Sequence, residues 1–203
     1  MLRYAITDRA SYPGNELQRQ EALLHQASRW VADGIDFIQL REKDLDASDI
    51  AALAREILQT IAAKASSTKV LINSRPDIAF ATGAHGVHLT AHPDELTVAQ
   101  VRSLYDSAKR PAPIITISCH TLEEVHRVRV NQADAILFAP VFKKIIAGQT
   151  ITPGQGIDRL RAACLAASPI PVYALGGVTS ENARSCLDAG AAGIAGIRLF
   201  QQS

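Results

Sequence analysis

The sequence alternates short apolar runs with segments of helical periodicity along its whole length, and this alternation constrains the fold most. In one helical segment Ile50, Leu53, Ile57 and Ile61 recur at helix spacing. Apolar strands joined by helices imply parallel pairing with both faces of the sheet covered, and eight units favour closure. The prediction is an α/β fold, a single (β/α)8 TIM barrel spanning 1–203. The eight predicted strands are Leu2–Ile6, Asp36–Leu40, Lys69–Asn73, Gly86–Leu89, Ile114–Ser118, Ala135–Ala139, Val172–Leu175 and Gly193–Ile197.

Two segments depart from this repeat. Residues 141–156 form a long connection rich in Gly and Lys after the sixth strand, and long loops at that end of a barrel usually serve the site. After the eighth strand too few residues remain for a full helix, so we expect the eighth helix to be short or absent. The first helix, Glu16–Ala32 with Trp30, then has to shift towards the gap, and a second subunit has to cover the remainder. A homodimer is expected.

Composition excludes several classes of protein. The 21 basic and 20 acidic residues leave almost no net charge, which gives no indication of a nucleic-acid partner. No apolar run approaches the roughly 18 residues that cross a bilayer, and the first residues do not resemble a secretion signal. Cys119, Cys164 and Cys186 are widely spaced and odd in number, so buried free thiols are expected. We expect a soluble cytoplasmic protein without a membrane partner.

Charged and amide side chains lie at the end of the second predicted strand and just beyond it. Because side chains alternate along a strand, Gln39, Arg41 and Lys43 face one side, which is the barrel mouth if the pleat continues. Two cations and an amide suit a phosphate or pyrophosphate, since Arg binds such oxyanions through two hydrogen bonds. The alternative is a structural salt bridge to Glu42 or to a neighbouring strand.

A second candidate anion site follows the seventh strand. Gly176 and Gly177 let the backbone approach an anion closely, and we expect a helix to start nearby with Thr179 and Asn182 as capping residues. Loops after strands seven and eight commonly bind phosphate in these barrels. Thr121 with Glu124 predicts a capped helix start after strand five.

Polar residues also end strands three and five. Asn73 ends one, and Ser118 and His120 lie at the end of the other, where a ligand could supply their hydrogen-bond partners. His120 can transfer protons near neutral pH, although a structural role is equally open.

Several of these segments together resemble the thiamin phosphate synthase family, which includes TenI-type thiazole tautomerases. The resemblance runs from the first strand to the eighth, and its most specific part is the Gln-x-Arg-x-Lys element. The segments that carry it are 37–44, 71–73, 77–79, 86–89, 118–124 and 175–179.

The resemblance implies an activity and a set of site residues. Its chemistry is loss of pyrophosphate from hydroxymethylpyrimidine pyrophosphate with Mg²⁺ assistance, followed by attack of the thiazole nitrogen of thiazole phosphate. The expected catalytic residues are Arg41, Lys43, Ser118 and His120. The expected ligand-binding residues are Gln39, Asn73, Lys143, Gly176, Gly177, Ile197 and Arg198.

The sequence departs from the synthase pattern at the residues expected to bind the metal. Ser74 and Pro93 stand where that pattern has aspartates, and Asp94, displaced by one residue, is the remaining candidate ligand. Mg²⁺ is usually held by one or two carboxylates plus phosphate oxygens, so its binding here is doubtful. Lys143 and Lys144 replace the loop threonines, and Arg198 either strengthens the phosphate site or fills it.

Three functions therefore remain open. A synthase is favoured because Lys43 is retained, and a pyrophosphate leaving group needs more cationic charge than a monoester does. A metal-independent thiazole tautomerase explains the missing carboxylates, but the histidine of its pattern falls at Pro140, so His120 would have to replace it. A thiazole phosphate binder without catalysis is the third.

Overall fold

The structure is a computed structural model that describes residues 1–90, 94–146 and 149–201. The strands are β1 Leu2–Ile6, β2 Phe37–Leu40, β3 Lys69–Asn73, β4 Gly86–Leu89, β5 Ile114–Cys119, β6 Ala135–Phe138, β7 Lys144–Ile146, β8 Gln149–Thr152, β9 Val172–Ala174 and β10 Gly193–Gly196. The helices are α1 Glu16–Ala32, α2 Ala47–Ala63, α3 Pro76–Thr82, α4 Val98–Ser107, α5 Leu122–Asn131, α6 Ile157–Ala167 and α7 Ala183–Asp188.

Eight of these strands close into a parallel barrel in the order β1-β10-β9-β6-β5-β4-β3-β2. They match the eight predicted strands to within one residue at either end. The barrel prediction is therefore confirmed, and the strand ends that carry the candidate site residues meet at one mouth.

The helices cover the barrel through the apolar residues that the periodicity indicated. Ile50, Leu53, Ile57 and Ile61 of α2 are all buried. Helix α5 begins as predicted, with Thr121 and Glu124 forming a reciprocal capping box. None of the helices in the described segments is long and apolar enough to cross a membrane.

The predicted helix start after strand seven is wrong in detail. Helix α7 begins at Ala183, six residues beyond Gly177, and its N-cap Asn182 makes no capping bond with its side chain. Instead Asn182 Oδ1 accepts a hydrogen bond from the Thr179 N–H at 2.9 Å. Because this bond closes a turn over 179–182, the helix starts later than the capping residues suggest.

The long connection after β6 contains a two-stranded hairpin that the sequence did not reveal. Strands β7 and β8 pair antiparallel and lie outside the barrel sheet. The base of the hairpin is fixed to the barrel mouth by the Phe142 N–H, which donates to the Gly176 carbonyl at 2.9 Å.

The barrel seam after β10 carries a turn in place of a helix within the described residues, as predicted. The indole Nε1 of Trp30 on α1 donates to the Phe200 carbonyl at 2.7 Å. The side chain of Phe200 packs against the core residues on both sides of the seam. The first helix and the C-terminal turn thus together cover the part of the barrel that an eighth helix would cover.

Candidate functional site

A cavity of about 360 Å³ opens at the barrel mouth and brings together most of the predicted site residues. The strand ends place these side chains because parallel strands of a barrel all finish at one face. Its polar lining consists of Gln39, Arg41, Lys43, Asn73, Ser74, His88, Thr90, Ser118 and His120.

Arg41 and Lys43 have no ion-pair or hydrogen-bond partner for their side chains within residues 1–90, 94–146 and 149–201. The alternative interpretation, a salt bridge to Glu42, is wrong because the Glu42 carboxylate instead forms an ion pair with Arg9, with 3.1 Å between Oε2 and Nη1. Arg9 also binds Asp44 through two hydrogen bonds of 2.7 and 2.9 Å. Both carboxylates that neighbour Lys43 are thus neutralised, so Arg41 and Lys43 keep their charge for a ligand.

The buried Arg9 is a structural residue of the site that the sequence did not indicate. Burial raises the pKa of Glu42, whereas the hydrogen bonds from Arg9 lower the pKa of Asp44. Arg9 also binds Glu16 at 2.7 Å, at the start of α1. These contacts tie the segment after β2 to the start of the first helix and fix the backbone that carries Lys43.

Gln39 has one unused acceptor in the cavity wall. Its Nε2 donates to Asn73 Oδ1 at 2.8 Å, while its buried Oε1 has no partner among the residues that the structure describes. Buried polar atoms nearly always find partners, so this oxygen calls for a donor on the ligand. An exocyclic amine has that donor.

His88 was missed by the sequence reasoning, although a lone histidine inside an apolar strand is a detectable signal. It is buried, with Nδ1 at 2.8 Å from Thr116 Oγ1 and Nε2 at 2.8 Å from Ser118 Oγ. Thr116 in turn contacts the Tyr4 hydroxyl at 3.1 Å. Burial and the nearby Arg41 lower the pKa of His88 to about 3, so its ring is neutral at pH 7.

His120 lies exposed at the rim of the same cavity, where the sequence reasoning placed it. Its Nδ1 is 2.8 Å from the Ala139 carbonyl, which can only accept, so Nδ1 carries the proton. In the neutral ring Nε2 is then an acceptor, and it has no partner in the part of the chain that the structure describes. His120 is thereby suited to take up a proton from a ligand.

A second cavity of about 310 Å³ is contiguous with the first, since Leu175 and Ile197 line both. It contains the predicted phosphate residues Gly176, Gly177 and Arg198, and also Asp8. Helix α7, which follows this turn in the chain, has only six residues and starts at Ala183.

The glycines of this cavity serve a packing purpose that the sequence did not reveal. Gly177 has a φ of +63°, and a Cβ there would lie 2.8 Å from both Phe142 Cβ and the Lys143 carbonyl oxygen. The glycine therefore allows the hairpin base to close against the turn.

Two predicted residues line neither cavity. Lys143 borders a third depression, which shares Gly177 with the second cavity and is also lined by Asn182. Asp94 is exposed and lines neither cavity.

Around Ser74, one of the two expected metal positions, the described residues present a hydroxyl and a carboxylate that already accepts hydrogen bonds. Ser74 Oγ donates to Glu95 Oε2 at 3.3 Å, and the same oxygen accepts the Thr90 N–H at 2.8 Å. Among the described residues, no three His, Cys, Asp or Glu side chains come together in a way that could hold a metal. Pro93, the other expected metal position, lies outside the described residues.

The fold and site define a (β/α)8 barrel enzyme whose mouth carries cationic and polar side chains suited to a phosphorylated small molecule. Residues 3–200 match the family model described as thiamine monophosphate synthase, so the chain belongs to that family.

Known relatives and a solved structure agree with this assignment. The chain is 37% identical to "Putative thiamine-phosphate synthase 2" of Aquifex aeolicus, over 97% of this chain and 96% of that one. It is 33% identical to the thiamine-phosphate synthase of Koribacter versatilis, over 85% of this chain and 77% of that protein. The solved thiamine phosphate pyrophosphorylase of Pyrococcus furiosus superimposes with a TM-score of 0.76 at 26% identity, over 97% and 85% of the two chains.

Proposed function

We propose that this chain is a transferase of the thiamin phosphate synthase type, joining hydroxymethylpyrimidine pyrophosphate to thiazole phosphate with release of pyrophosphate. The observation that carries the proposal is the pair of contiguous cavities, one lined by Arg41 and Lys43 and the other by the Gly176-Gly177 turn. Two phosphorylated substrates need two anion sites, placed so that the reacting atoms of the bound substrates come close enough to form a bond. The shared residues Leu175 and Ile197 provide that proximity.

The first cavity fits the pyrimidine pyrophosphate. Arg41 and Lys43, unpaired among the described residues, bind the pyrophosphate, and the buried Oε1 of Gln39 accepts a hydrogen bond from the exocyclic amine of the pyrimidine. The phosphate of the thiazole then lies at the Gly176-Gly177 turn, with Arg198 at its edge. This orientation directs the thiazole nitrogen towards the first cavity.

The reaction needs no nucleophile from the protein. The bond between the pyrimidine methylene and the pyrophosphate oxygen breaks, and its electron pair leaves with the oxygen. The lone pair of the thiazole nitrogen forms the new C–N bond with the cationic methylene. Arg41 and Lys43 stabilise the charge that develops on the leaving oxygen, which is the largest electrostatic change along this path.

A thiazole tautomerase is the second candidate, and His120 is the observation that favours it. In the neutral ring its Nε2 is an acceptor at the cavity rim, because Nδ1 donates to the Ala139 carbonyl. A proton shift on a thiazole carboxylate phosphate needs such a base and a phosphate site, with neither a metal nor a pyrophosphate site. Two residues agree with a reaction that needs no metal. Ser74 stands where the synthase pattern has an aspartate, and Glu95 already accepts a hydrogen bond from Ser74.

One set of assays distinguishes these functions. The purified protein is incubated with both synthase substrates, with and without added Mg²⁺, and separately with the carboxylated thiazole tautomer. Formation of thiamin phosphate supports the synthase, and its loss in Arg41→Met but not in the control Arg75→Met assigns the activity to the mouth. Turnover of the tautomer alone would establish the tautomerase. Thiazole phosphate binding without either activity would leave the non-catalytic binder.

We propose the cytoplasm as the site of this reaction. The support is chemical, since Cys119, Cys164 and Cys186 are all free thiols. Free thiols persist in reducing compartments, whereas oxidising compartments favour disulfides.

A further inference from the structure

A further cavity, of about 490 Å³, opens at the end of the barrel opposite the mouth. The first residues of five barrel strands line it, and these are Leu2, Phe37, Lys69, Ile114 and Ala135. None of the five lines either cavity of the mouth. Its volume falls in the range of roughly 300–1,000 Å³ that is typical of small-molecule pockets.

Two aromatic rings form one wall of this cavity. Phe37 and Tyr173 meet edge to face, with their ring centroids 6.0 Å apart. Tyr4 supports both from the barrel core, at 5.5 Å from Phe37 and 5.6 Å from Tyr173. Because the three rings are already packed against one another, a flat ligand ring can lie against this wall without rearranging it.

The hydroxyl of Tyr173 is a hydrogen-bond donor without a use in the fold. The residue is only 1% exposed, and its hydroxyl has no hydrogen-bond partner in the ranges 1–90, 94–146 and 149–201. Burial, together with the nearby carboxylate of Asp36, raises the pKa of Tyr173 to about 12, so the hydroxyl keeps its proton at pH 7. Buried hydroxyls nearly always find partners, so this one calls for an acceptor on a ligand.

One carboxylate and one ammonium group border the cavity with bonding capacity left. Asp36 Oδ2 accepts the Arg3 N–H at 2.7 Å, which leaves Oδ1 without a partner in the described chain. The ammonium group of Lys69 likewise has no ion pair there. The third charged residue, Asp134, is paired with Arg102 at 3.4 Å. A ligand with a net charge of either sign would therefore be repelled by Asp36 or by Lys69.

We propose that this cavity is a second binding site, separate from the mouth, for an uncharged nitrogen heteroaromatic ring that carries an amino group, of the aminopurine type. The ring lies against Phe37 and Tyr173, and its amino group donates to Asp36 Oδ1. The ring nitrogens accept hydrogen bonds from the Tyr173 hydroxyl and from Lys69. The proposal does not depend on the reaction at the mouth, because the two sites share none of these residues.

Adenine is the probe for the first test, which is NMR of protein labelled at its Leu, Ile and Ala methyl groups. The expected result is a saturable shift of the Leu2, Ile114 and Ala135 methyl signals. Ile6 and Ile197, which line the cavity of the mouth, are the internal controls and are expected to stay unchanged. Shifts confined to the mouth, or no saturable shift up to the solubility limit of adenine, would overturn the proposal.

Three ligands with an aromatic ring and a different charge test the chemical class. Benzoate is an anion, benzylamine is a cation and phenylalanine is a zwitterion. Each is expected to bind at the Leu2, Ile114 and Ala135 methyl groups roughly tenfold more weakly than adenine, because charged groups lose hydration or meet a like charge. If any of them bound as tightly as adenine, an uncharged heteroaromatic ring would be the wrong class.

Variants test the polar contacts. Tyr173→Phe keeps the ring, and Asp36→Asn keeps an oxygen for the Arg3 N–H. Each is expected to raise the dissociation constant of adenine roughly threefold to tenfold, the effect of one lost hydrogen bond. Tyr105→Phe is the matched control, since it also removes a buried hydroxyl that has no partner among the described residues, but one outside this cavity.

The control is expected to bind adenine like the wild type. Wild-type affinity in both Tyr173→Phe and Asp36→Asn would contradict the proposed recognition. If Tyr173→Phe does not fold, Asp36→Asn and the three charged ligands decide the question.

Discussion

Arg41 and Lys43 differ from the charged residues around them because their charge is not neutralised within the described parts of the chain. Arg41→Met or Lys43→Met keeps most of the side-chain volume and removes the charge. Each is expected to weaken pyrophosphate binding by roughly 2–5 kcal/mol, since a charge-assisted contact is lost. Calorimetric titration checks this, with Arg75→Met, which removes a surface ion pair to Asp77, as the control. Unchanged affinity in both variants would mean that the two cations have a structural role.

His88 gives stability a pH dependence whose sign is fixed by burial. Its pKa is lowered from 6.5 to about 3 in the fold, so between these values the unfolded chain binds a proton that the folded protein does not. Stability therefore falls as the pH decreases from 6.5 towards 3, by about 1.4 kcal/mol per pH unit from this residue.

Chemical denaturation across this pH range tests that contribution. His88→Gln is expected to reduce the dependence of the unfolding free energy on pH by about one proton. His126→Gln, on the exposed side of α5, is the control and is expected to retain the wild-type dependence. Equal pH dependence in wild type and His88→Gln would show that burial does not lower the pKa of His88, because its ring would then bind its proton equally in the folded and unfolded chain.

The residues of the site were predictable where they follow a local pattern. Gln39, Arg41 and Lys43 obey the period of two that continues from an apolar strand, and the structure places all three at the mouth. Arg9 was not predictable because its partners Glu42 and Asp44 lie 33 and 35 residues away in the sequence. His88 required knowledge of which strand neighbours it, since its partners belong to β5.

Elements of the barrel were predictable because each strand is a continuous apolar run that can be buried on both faces. The hairpin of β7 and β8 was not, because its position depends on contacts between distant segments, such as the bond from Phe142 to Gly176. The late start of α7 depends on the side chain of Asn182 bonding back to Thr179, a choice that residue types alone do not determine.

The turn that contains Gly177 should tolerate no side chain. In Gly177→Ala the new Cβ would lie on a left-handed backbone and only 2.8 Å from its nearest neighbouring atoms. In Gly34→Ala the backbone is also left-handed, with a φ of +67°, but the nearest atom to the new Cβ is 3.8 Å away. We expect Gly34→Ala to cost roughly 1 kcal/mol of stability and Gly177→Ala roughly 2–4 kcal/mol, because overpacking adds to the backbone strain.

Denaturant unfolding compares these two alanine variants. Gly177→Asp is in addition expected to abolish binding of thiazole phosphate, because its carboxylate would stand against the anion. Equal stability of the two alanine variants, or wild-type affinity in a folded Gly177→Asp, would contradict this account of the turn.

The whole molecule has a seam between β10 and β1 that the chain closes in part with Trp30 and Phe200. Leu17 on α1, the helix that also carries Trp30, is 66% exposed, and we expect a second subunit to cover it. Light scattering at micromolar concentration should give twice the chain mass of 21.8 kDa. Leu17→Asp should shift the protein to a monomer, whereas Leu104→Asp on α4, across the barrel, should not. A monomeric wild-type protein would contradict the dimer.

The central claim is that one barrel mouth holds two phosphorylated ligands at once in contiguous cavities. The most direct measurement is a calorimetric titration of thiazole phosphate into protein already saturated with pyrophosphate. Two anion sites predict that one thiazole phosphate binds per chain with an affinity that does not fall as the pyrophosphate concentration rises. An apparent affinity that falls in proportion to the pyrophosphate concentration would show a single shared anion site and contradict the account.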